Sequence, residues 1–445
     1  MKRVDILNNK MFPTLLKLSW PMILANMFQN IYNIIDTFWL GKLGKEAVAA
    51  PTVAWPIIFT FISISSGFSV AALALVSQYI GAGRKDEARL YSAQVFSLTF
   101  IISIVFSIFG FFSGNILMLL DIPEEMFQLT DVYLKTILFG LPFTFVGFAF
   151  NSIFTGWGDT LTPMILSSFS LVANVILDPL LIFGMGPFPE LGVFGAALAT
   201  VICRSIVFFA GTFILFKGKG EIKIFLKDLL PKRNCVRKIL KIGLPSSFGQ
   251  FVTSLAFVII TSLVAQFGTV ATAAMGVGQR IISIANMFAF GVAQAAAAMV
   301  GQYLGAERKN DAYKVVWKAA FFNIVVVGIM CTFTFLFGKE ITAFFVNEPE
   351  VLVEGQNFFN IVSFSIPFFV TFAIFDNALR SSGHTVVSMI INIVRLWGIR
   401  LPVIYLMGLS LGTTGIWYAM FISNMAVMII SAIVILRKKW LEKVI

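Results

Sequence analysis

The sequence predicts an all-α integral membrane protein with twelve transmembrane helices in two six-helix lobes, related by a pseudo-twofold axis along the membrane normal. Three observations support this: 58% of the 445 residues are hydrophobic, only 12% are charged, and a segment of the first half recurs in the second. Soluble globular domains average about 25% charged residues. The composition therefore excludes a soluble enzyme, and the length leaves room for roughly a dozen helices of about 20 residues.

Apolar runs separated by Gly, Pro and charged clusters define twelve predicted spans. They are helices, because a backbone in hydrocarbon must satisfy its own hydrogen bonds and the runs lack the ten-residue alternation of a membrane barrel. The first-half spans are 14–40, 47–80, 89–120, 126–156, 160–184 and 191–216. The second-half spans are 239–267, 270–304, 312–345, 352–381, 385–408 and 412–437.

The distribution of Lys and Arg predicts the orientation. With the N-terminus in the cytoplasm, 25 Lys and Arg lie on the cytoplasmic side, 4 on the other side and 4 inside spans. The positive-inside rule then places both termini in the cytoplasm, in a multi-pass protein of the cell membrane. We attribute the net charge of +11 to topology and to anionic lipid headgroups, and not to nucleic acid.

An internal repeat divides the chain. Residues 67–88 (GFSVAALALVSQYIGAGRKDEA) and 291–312 (GVAQAAAAMVGQYLGAERKNDA) share 12 identities in 22 positions at an offset of 224. Six spans per half is an even number, so both halves cross the membrane in the same sense and leave a cavity between them. The predicted N-lobe is 1–216, the basic cytoplasmic linker is 217–238 and the C-lobe is 239–445.

The rare reactive residues give no enzyme site. Cys203, Cys235 and Cys331 are far apart and form no C-x-x-C pair, and the lone His384 has no ligand companion nearby. A disulfide scaffold, a zinc site and a haem site are all disfavoured. Asp159 and His384 stand at equivalent turns before helices, and we predict that both act as helix caps.

Ionisable residues inside the predicted spans mark candidate functional positions, because each costs at least about 2.5 kcal/mol on insertion scales. In the first half they are Asp36, Asp178 and Arg204, and in the second half they are Arg280, Asp376, Arg395 and Arg400. Asp376 and Arg380 are spaced for a local ion pair, and Asn151 matches Asp376 in the repeat register. The spacing leaves open whether Arg395 and Arg400 bind substrate or pair across the halves.

The first-half acids predict a coupling site for a cation. Asp178 lies one helical turn beyond Asn174, and Asp36 lies one turn beyond Tyr32, so each acid shares a helix face with a polar group. If the two helices touch, two carboxylates in a dry site cannot both ionise cheaply, and the pair can take up a proton or a small cation. Asp36 alone also fits a residue near the outer mouth that reaches water.

Together these features resemble a transporter of the multidrug and toxic compound extrusion (MATE) family along nearly the whole chain, most closely its archaeal and DinF-like branch. The resemblance rests on the repeat, on DTFWLGKLGKEAVAA after a span containing Pro21, on the QYIGAGR and QYLGAER loops, and on NVILDPLLIFG before GVFGAALAT. It departs from the branch that uses second-lobe carboxylates, since Gln250 and Thr253 stand where span 7 would carry an acid.

The resemblance implies site residues and a function. The coupling site, for H⁺ or Na⁺, falls on Tyr32, Asp36, Asn174, Asp178, Ala196 and Thr200, with sodium held by Asp36, Asn174, Asp178 and Thr200. Asn151, Asp36 and Asp178 face the substrate cavity, and no other metal or cofactor is expected. The implied activity is secondary active export of amphipathic or cationic organic compounds by a monomer through alternating access.

Two other functions stay open. A flippase for lipid-linked oligosaccharides would need a cavity rich in Arg and Lys, and a passive channel or scramblase would need no carboxylate that titrates near neutrality.

Within span 1, Pro21 removes a backbone hydrogen bond fifteen residues before Asp36. We therefore predict that span 1 bends at Pro21 when the protein changes state.

Overall fold

The computed structural model describes residues 4–119, 123–218 and 223–443, and their regular secondary structure is helical. Residues 121–122 of the predicted acidic outer loop and 219–222 of the predicted linker lie outside this part. The helices are α1 (Met11–Leu43), α2 (Lys45–Gly81), α3 (Lys85–Ser107), α4 (Ser113–Leu119), α5 (Glu124–Phe139), α6 (Leu141–Trp157), α7 (Leu161–Phe183), α8 (Gly192–Lys217), α9 (Arg233–Ala265), α10 (Thr269–Gly305), α11 (Lys309–Leu336), α12 (Gly338–Phe345), α13 (Pro349–Ser381), α14 (Thr385–Ile393), α15 (Leu401–Leu411) and α16 (Thr413–Leu436). A π-helical segment, Val394–Arg400, joins α14 to α15.

The described residues include ten helical segments that are long and apolar enough to cross a membrane, with Lys85–Leu119 and Thr385–Leu411 each counted as one, and α5 with α6 forms an eleventh span bent by 49°. At 33 residues α1 is also long enough, but its second half carries Asn26, Gln29, Asn30, Asn33 and Asp36, which make it less apolar. Polar residues at this density are tolerated in a membrane helix that faces other helices or a cavity. The predicted all-α membrane fold is confirmed.

Several predicted spans are broken within their length. Span 4 divides between α5 and α6 at Gly140, where Pro142 lies in the first turn of α6. Span 9 divides at Gly338, where an added Cβ would lie 2.9 Å from Phe359. In span 11 the π-helical segment interrupts the helix. The apolar pattern did not show these breaks, because apolar residues continue on both sides of each break.

The repeat is visible in the helix boundaries. Both α2 and α10 have 37 residues, and their first residues, Lys45 and Thr269, stand 224 positions apart. The same offset relates Lys85 to Lys309, the first residues of α3 and α11. The two halves therefore share local structure as well as sequence.

The chain forms two compact units. The first contains Leu24–Ile80 and Arg84–Ser247, and the second contains Asp5–Ile23, Gly81–Gly83 and everything from Phe248 onward. Each unit has its own apolar core. Buried side chains of the first include Leu40, Leu134, Phe145 and Ile182. Those of the second include Ile260, Phe358, Leu396 and Trp417.

The two predicted caps have different outcomes. Asp159 accepts hydrogen bonds from the backbone N–H of Thr162 at 3.0 Å and from its hydroxyl at 2.6 Å, so it caps the start of α7 as predicted. His384 precedes α14, but its side chain makes no cap bond. Its Nδ1 instead lies 3.0 Å from the Ser382 hydroxyl. The prediction for His384 was wrong because its ring engages the preceding turn.

Candidate functional site

The candidate coupling residues all lie in the first unit, on three helices. α1 carries Tyr32 and Asp36, α7 carries Asn174 and Asp178, and α8 carries Ala196 and Thr200. Asn174, Asp178 and Ala196 are fully buried, and the exposed fractions of Tyr32 and Thr200 are 7% and 6%. In an apolar membrane protein, polar groups buried this deeply need partners or a ligand.

The polar pair on α7 is formed within the helix. Asn174 Nδ2 donates a hydrogen bond to Asp178 Oδ1 at 2.7 Å, as their spacing of one turn predicts. Pro179 follows and has no N–H, so the carbonyl of Val175 lacks its helical donor at this turn. One side of α7 therefore presents an amide and a carboxyl group, and the freed carbonyl lies in the same helical turn.

Close packing sets α8 against α7. An added Cβ at Gly195 would lie 2.3 Å from the carbonyl oxygen of Leu181, so only glycine permits this approach. Farther along, the Ser170 hydroxyl on α7 donates to the carbonyl of Cys203 on α8 at 3.2 Å. These two contacts hold the turn of α8 that carries Ala196 and Thr200.

Asp36 on α1 interacts electrostatically with charged residues of α7 and α8. Asp36 interacts unfavourably with Asp178, a repulsion expected of two carboxyl groups in one buried region. It also interacts favourably with the guanidinium group of Arg204 on α8. Tyr133 of α5 lies in the apolar core of this unit, within electrostatic range of Asp36, Asp178 and Arg204. The site thus contains two acids and one base.

Several buried oxygen atoms of this site have no hydrogen-bond partner among the described residues. They are Tyr32 Oη, Asp36 Oδ1, Asn174 Oδ1, Asp178 Oδ2 and Thr200 Oγ1. Carboxylate, amide and hydroxyl oxygens are the ligands that hard cations prefer, and an unpaired carboxylate oxygen is also where a proton binds. The arrangement is chemically able to take up either ion.

A cavity of about 180 Å³ lies in the first unit beside these residues. Its wall is mixed, with aromatic side chains such as Phe28, Phe143 and Phe148 and polar ones such as Gln29 and Ser167. Of the predicted site residues, Tyr32 and Asn151 line the cavity and Asp36 and Asp178 do not. Tyr32 belongs to both the cavity wall and the polar group.

Sequence reasoning did not assign Arg204 and Tyr133 to the site. Arg204 was recognised as a charge inside a span, but its proximity to Asp36 and its place on the cavity wall depend on helix packing. Tyr133 lies on a different helix from every other site residue. The intramembrane position of Arg204 was the one signal in the sequence, and nothing there linked it to Asp36.

The polar residues of the second unit are arranged differently. Asp376 and Arg380 form the predicted ion pair, with Arg380 Nε 2.8 Å from Asp376 Oδ2. Thr253 in α9 donates to the carbonyl of Gly249 in its own helix. Among the described residues, no group of three or more His, Cys, Asp or Glu side chains is placed to hold a metal ion.

Comparison with known proteins identifies the family. The MatE family model matches twice, over residues 21–180 and 245–406, which together make up most of the chain. The chain belongs to the MatE family. The two matches begin 224 residues apart, which confirms the internal duplication. Members of the family are multi-helix membrane transporters and not enzymes, and this MatE chain is therefore a multi-pass membrane transporter.

Individual relatives cover nearly the whole MatE chain. The probable multidrug resistance protein YoeA of Bacillus subtilis is 28% identical over 89% of this chain and 87% of its own. The probable multidrug resistance protein NorM of Thermotoga maritima is 27% identical over 97% of this chain and 93% of its own. The structure of the MATE transporter VcmN from Vibrio cholerae aligns with a TM-score of 0.90 at 23% identity, covering 96% of each chain.

Proposed function

We propose that this chain is a secondary active multidrug efflux transporter that exports amphipathic or cationic organic compounds in exchange for H⁺ or Na⁺. The observation that carries the proposal is the group of unpartnered oxygens on Asp36, Asn174 and Asp178 next to a mixed polar and aromatic cavity. Aromatic walls accept flat apolar cations, and nearby carboxylates attract their charge.

The proposed exchange follows from electrostatics. Charge on Asp36 and Asp178 is costly when both are ionised, so uptake of one cation relieves their repulsion. The attraction between Asp36 and Arg204 weakens once Asp36 is neutralised. Since Arg204 lines the cavity, neutralising Asp36 changes the charge that a cationic substrate meets there. Ion and substrate then disfavour each other, as antiport requires.

The proposal includes the organisation of the chain. The N-lobe 1–216 and C-lobe 239–445 move as two bodies joined by linker 217–238, and the monomer lies in the cell membrane with both termini in the cytoplasm. The excess of Lys and Arg on the linker side supports this orientation. The names of YoeA and NorM, both multidrug resistance proteins, support the substrate class.

The test is transport in liposomes of purified protein. A proton or sodium gradient should drive a fluorescent organic cation against its own gradient, and D36N and D178N should each abolish this accumulation. The matched control is D86N, because Asp86 is a highly exposed acid in α3 whose partner is the surface residue Arg89. Full transport by both site variants would refute the acid-pair mechanism.

Two sets of the same liposomes identify the coupling ion. One set has a sodium gradient at fixed pH, and the other has a pH gradient without sodium. A flippase for lipid-linked saccharides or a passive channel would show no gradient-driven accumulation of the cation in either set. Accumulation in one set alone identifies the driving ion.

A further inference from the structure

The second unit contains two buried arginines at one interrupted helix. Arg395 and Arg400 lie in the π-helical segment between α14 and α15, and their exposed fractions are 4% and 5%. In an α-helix, residues five apart project well away from each other. A π-helix bonds residue i to i+5, which brings such residues toward one face, and π-helical turns are frequent at functional sites.

The partners of Arg400 are neutral. Its Nε donates to the hydroxyl of Ser423 at 2.8 Å, and a terminal nitrogen donates to Asn424 Oδ1 at 2.6 Å. A buried cation with only neutral partners is costly, since its charge is not balanced. No carboxylate of the described residues lies within ion-pair distance of Arg400.

Arg395 is also unbalanced. Its guanidinium group lies 5.1 and 5.2 Å from the ring centres of Phe369 and Phe372, and its Nε has no hydrogen-bond partner among the described residues. The acid that attracts it is Asp376. That carboxylate is already paired with Arg380, whose Nε lies 2.8 Å from Asp376 Oδ2. One negative charge is therefore shared by two arginines.

Two neutral side chains also donate hydrogen bonds to Asp376. Ser388 donates its hydroxyl to Asp376 Oδ1, and Asn392 Nδ2 donates to the same oxygen at 3.1 Å. The single negative charge of Asp376 is thus shared with Arg380, and it cannot balance the charges of both Arg395 and Arg400. The region has an excess of buried positive charge.

Both arginines line a cavity. A cavity of about 80 Å³ within the second unit is lined by both arginines and by Gln279, Asn286, Ser365 and Asn424, and its lining contains no Asp or Glu. Apolar side chains complete the wall, namely Phe257, Ile282, Val362, Ile366, Phe369 and Met420. Guanidinium groups bind carboxylate and phosphate oxygens through paired N–H donors.

We infer that this cavity, the arginine cavity, binds the acidic group of an organic compound, a carboxylate or phosphate attached to an aromatic or apolar body. The acidic group meets Arg395 and Arg400, and the body packs on Phe369 and its apolar neighbours. This deepens the proposed function by adding organic anions and zwitterions to the substrate class, and only that extension rests on the transport proposal. The binding site can be tested without transport.

The test measures equilibrium binding to the protein in nanodiscs of neutral phosphatidylcholine. The probes are radiolabelled phenyl phosphate and benzoate, with phenol as the uncharged probe. We expect both acids to bind at least tenfold more tightly than phenol. R395Q and R400Q should each weaken their binding at least tenfold and leave phenol unchanged. Equal binding of acids and phenol by the parent protein would refute the site, even if a variant fails to fold.

Two controls sharpen the result. R280Q removes an exposed arginine of the same unit that lies outside the cavity, against Phe345, and should leave binding unchanged. An equal loss in R280Q would overturn the assignment, because general charge would then explain the binding. R400K keeps the charge but not the paired donors, and its affinity should fall between those of R400Q and the parent.

The source of the acidic group is resolved by adding phosphatidylglycerol to the nanodiscs. If the lipid displaces phenyl phosphate from the parent protein, the site takes a lipid phosphate. If the probe still binds, the site takes a soluble anion. Failure of acid binding while the organic cation is still pumped would overturn only this inference. Acid binding without cation pumping would overturn the proposed function and leave the arginine cavity intact.

Discussion

Asn174 donates its side-chain amide to Asp178 at 2.7 Å, and both side chains are fully buried in α7. The bond uses one oxygen of Asp178 and leaves the other, together with Asn174 Oδ1, without a partner among the described residues. A structural pair would satisfy itself more completely, because unsatisfied buried acceptors are costly. The two residues are therefore ordered by each other and still open to a cation.

The variant N174L removes the donor and one candidate oxygen ligand at similar volume. A hydrogen bond to a charged group contributes about 1.5–3 kcal/mol, so we expect the half-saturating concentration of the coupling ion to change by about tenfold or more. Transport by the liposome assay at varied ion concentration measures this. The control N115L makes the same change at an exposed position of α4 and should transport normally. An unchanged ion dependence in N174L would exclude Asn174 from the site.

Gly195 should tolerate no side chain. G195A places a Cβ about 2.3 Å from the carbonyl oxygen of Leu181, so α8 must move away from α7 and carry Thr200 with it. Overpacking of this kind costs about 1–3 kcal/mol, and we expect a lower melting temperature and weaker ion coupling. In G276A the added Cβ meets nothing within 4 Å, and stability should be unchanged or slightly higher. Equal melting temperatures for the two variants would contradict the close packing.

The predicted hinge of α1 lies near a boundary. The two compact units divide α1 between Ile23 and Leu24, just after Pro21. P21A restores an N–H for the carbonyl of Lys17 and should stiffen the helix. We expect folding and substrate binding to be retained, and exchange between inward-open and outward-open states to slow by about tenfold, or about 1.4 kcal/mol in the barrier.

Distances between spin labels at the C-terminal ends of α1 and α9, measured over a pH series, test the hinge. The control is P349A, because Pro349 begins α13, where a missing N–H breaks no helical bond. If P21A shows the parent's distances at each pH and the parent's transport rate, Pro21 is only a tolerated proline.

His384 gives a pH dependence of stability outside the spans. Burial lowers the pKa of His384 below its ordinary value, and the charge of Glu442 opposes this only in part. The unfolded chain then takes up a proton before the folded one, so stability is complete above pH 6.5 and falls as the pH drops toward the folded pKa. We expect the melting temperature of the parent to fall more between pH 7.5 and pH 5 than the melting temperature of H384Q. Parallel curves would show that the ring is not held neutral.

Local features of this protein could be predicted from the sequence. The membrane helices follow from apolar runs, and the duplication follows from residues 67–88 and 291–312. The bonds between Asn174 and Asp178 and between Asp376 and Arg380 join residues four apart. Their geometry is set by the 3.6-residue turn, which every helix has whatever packs against it.

Contacts between helices were decided only by the tertiary structure. Arg204 and Tyr133 come near the acids because α5 and α7 both pack on α8, with close contacts at Gly140 and Gly195. The depth of such packing depends on side-chain shapes on both partners, which periodicity does not encode. Likewise, Arg395 and Arg400 line one cavity because their helix is locally π-helical. A regular α-helix would have separated them, and the surrounding helices determine which winding the segment adopts.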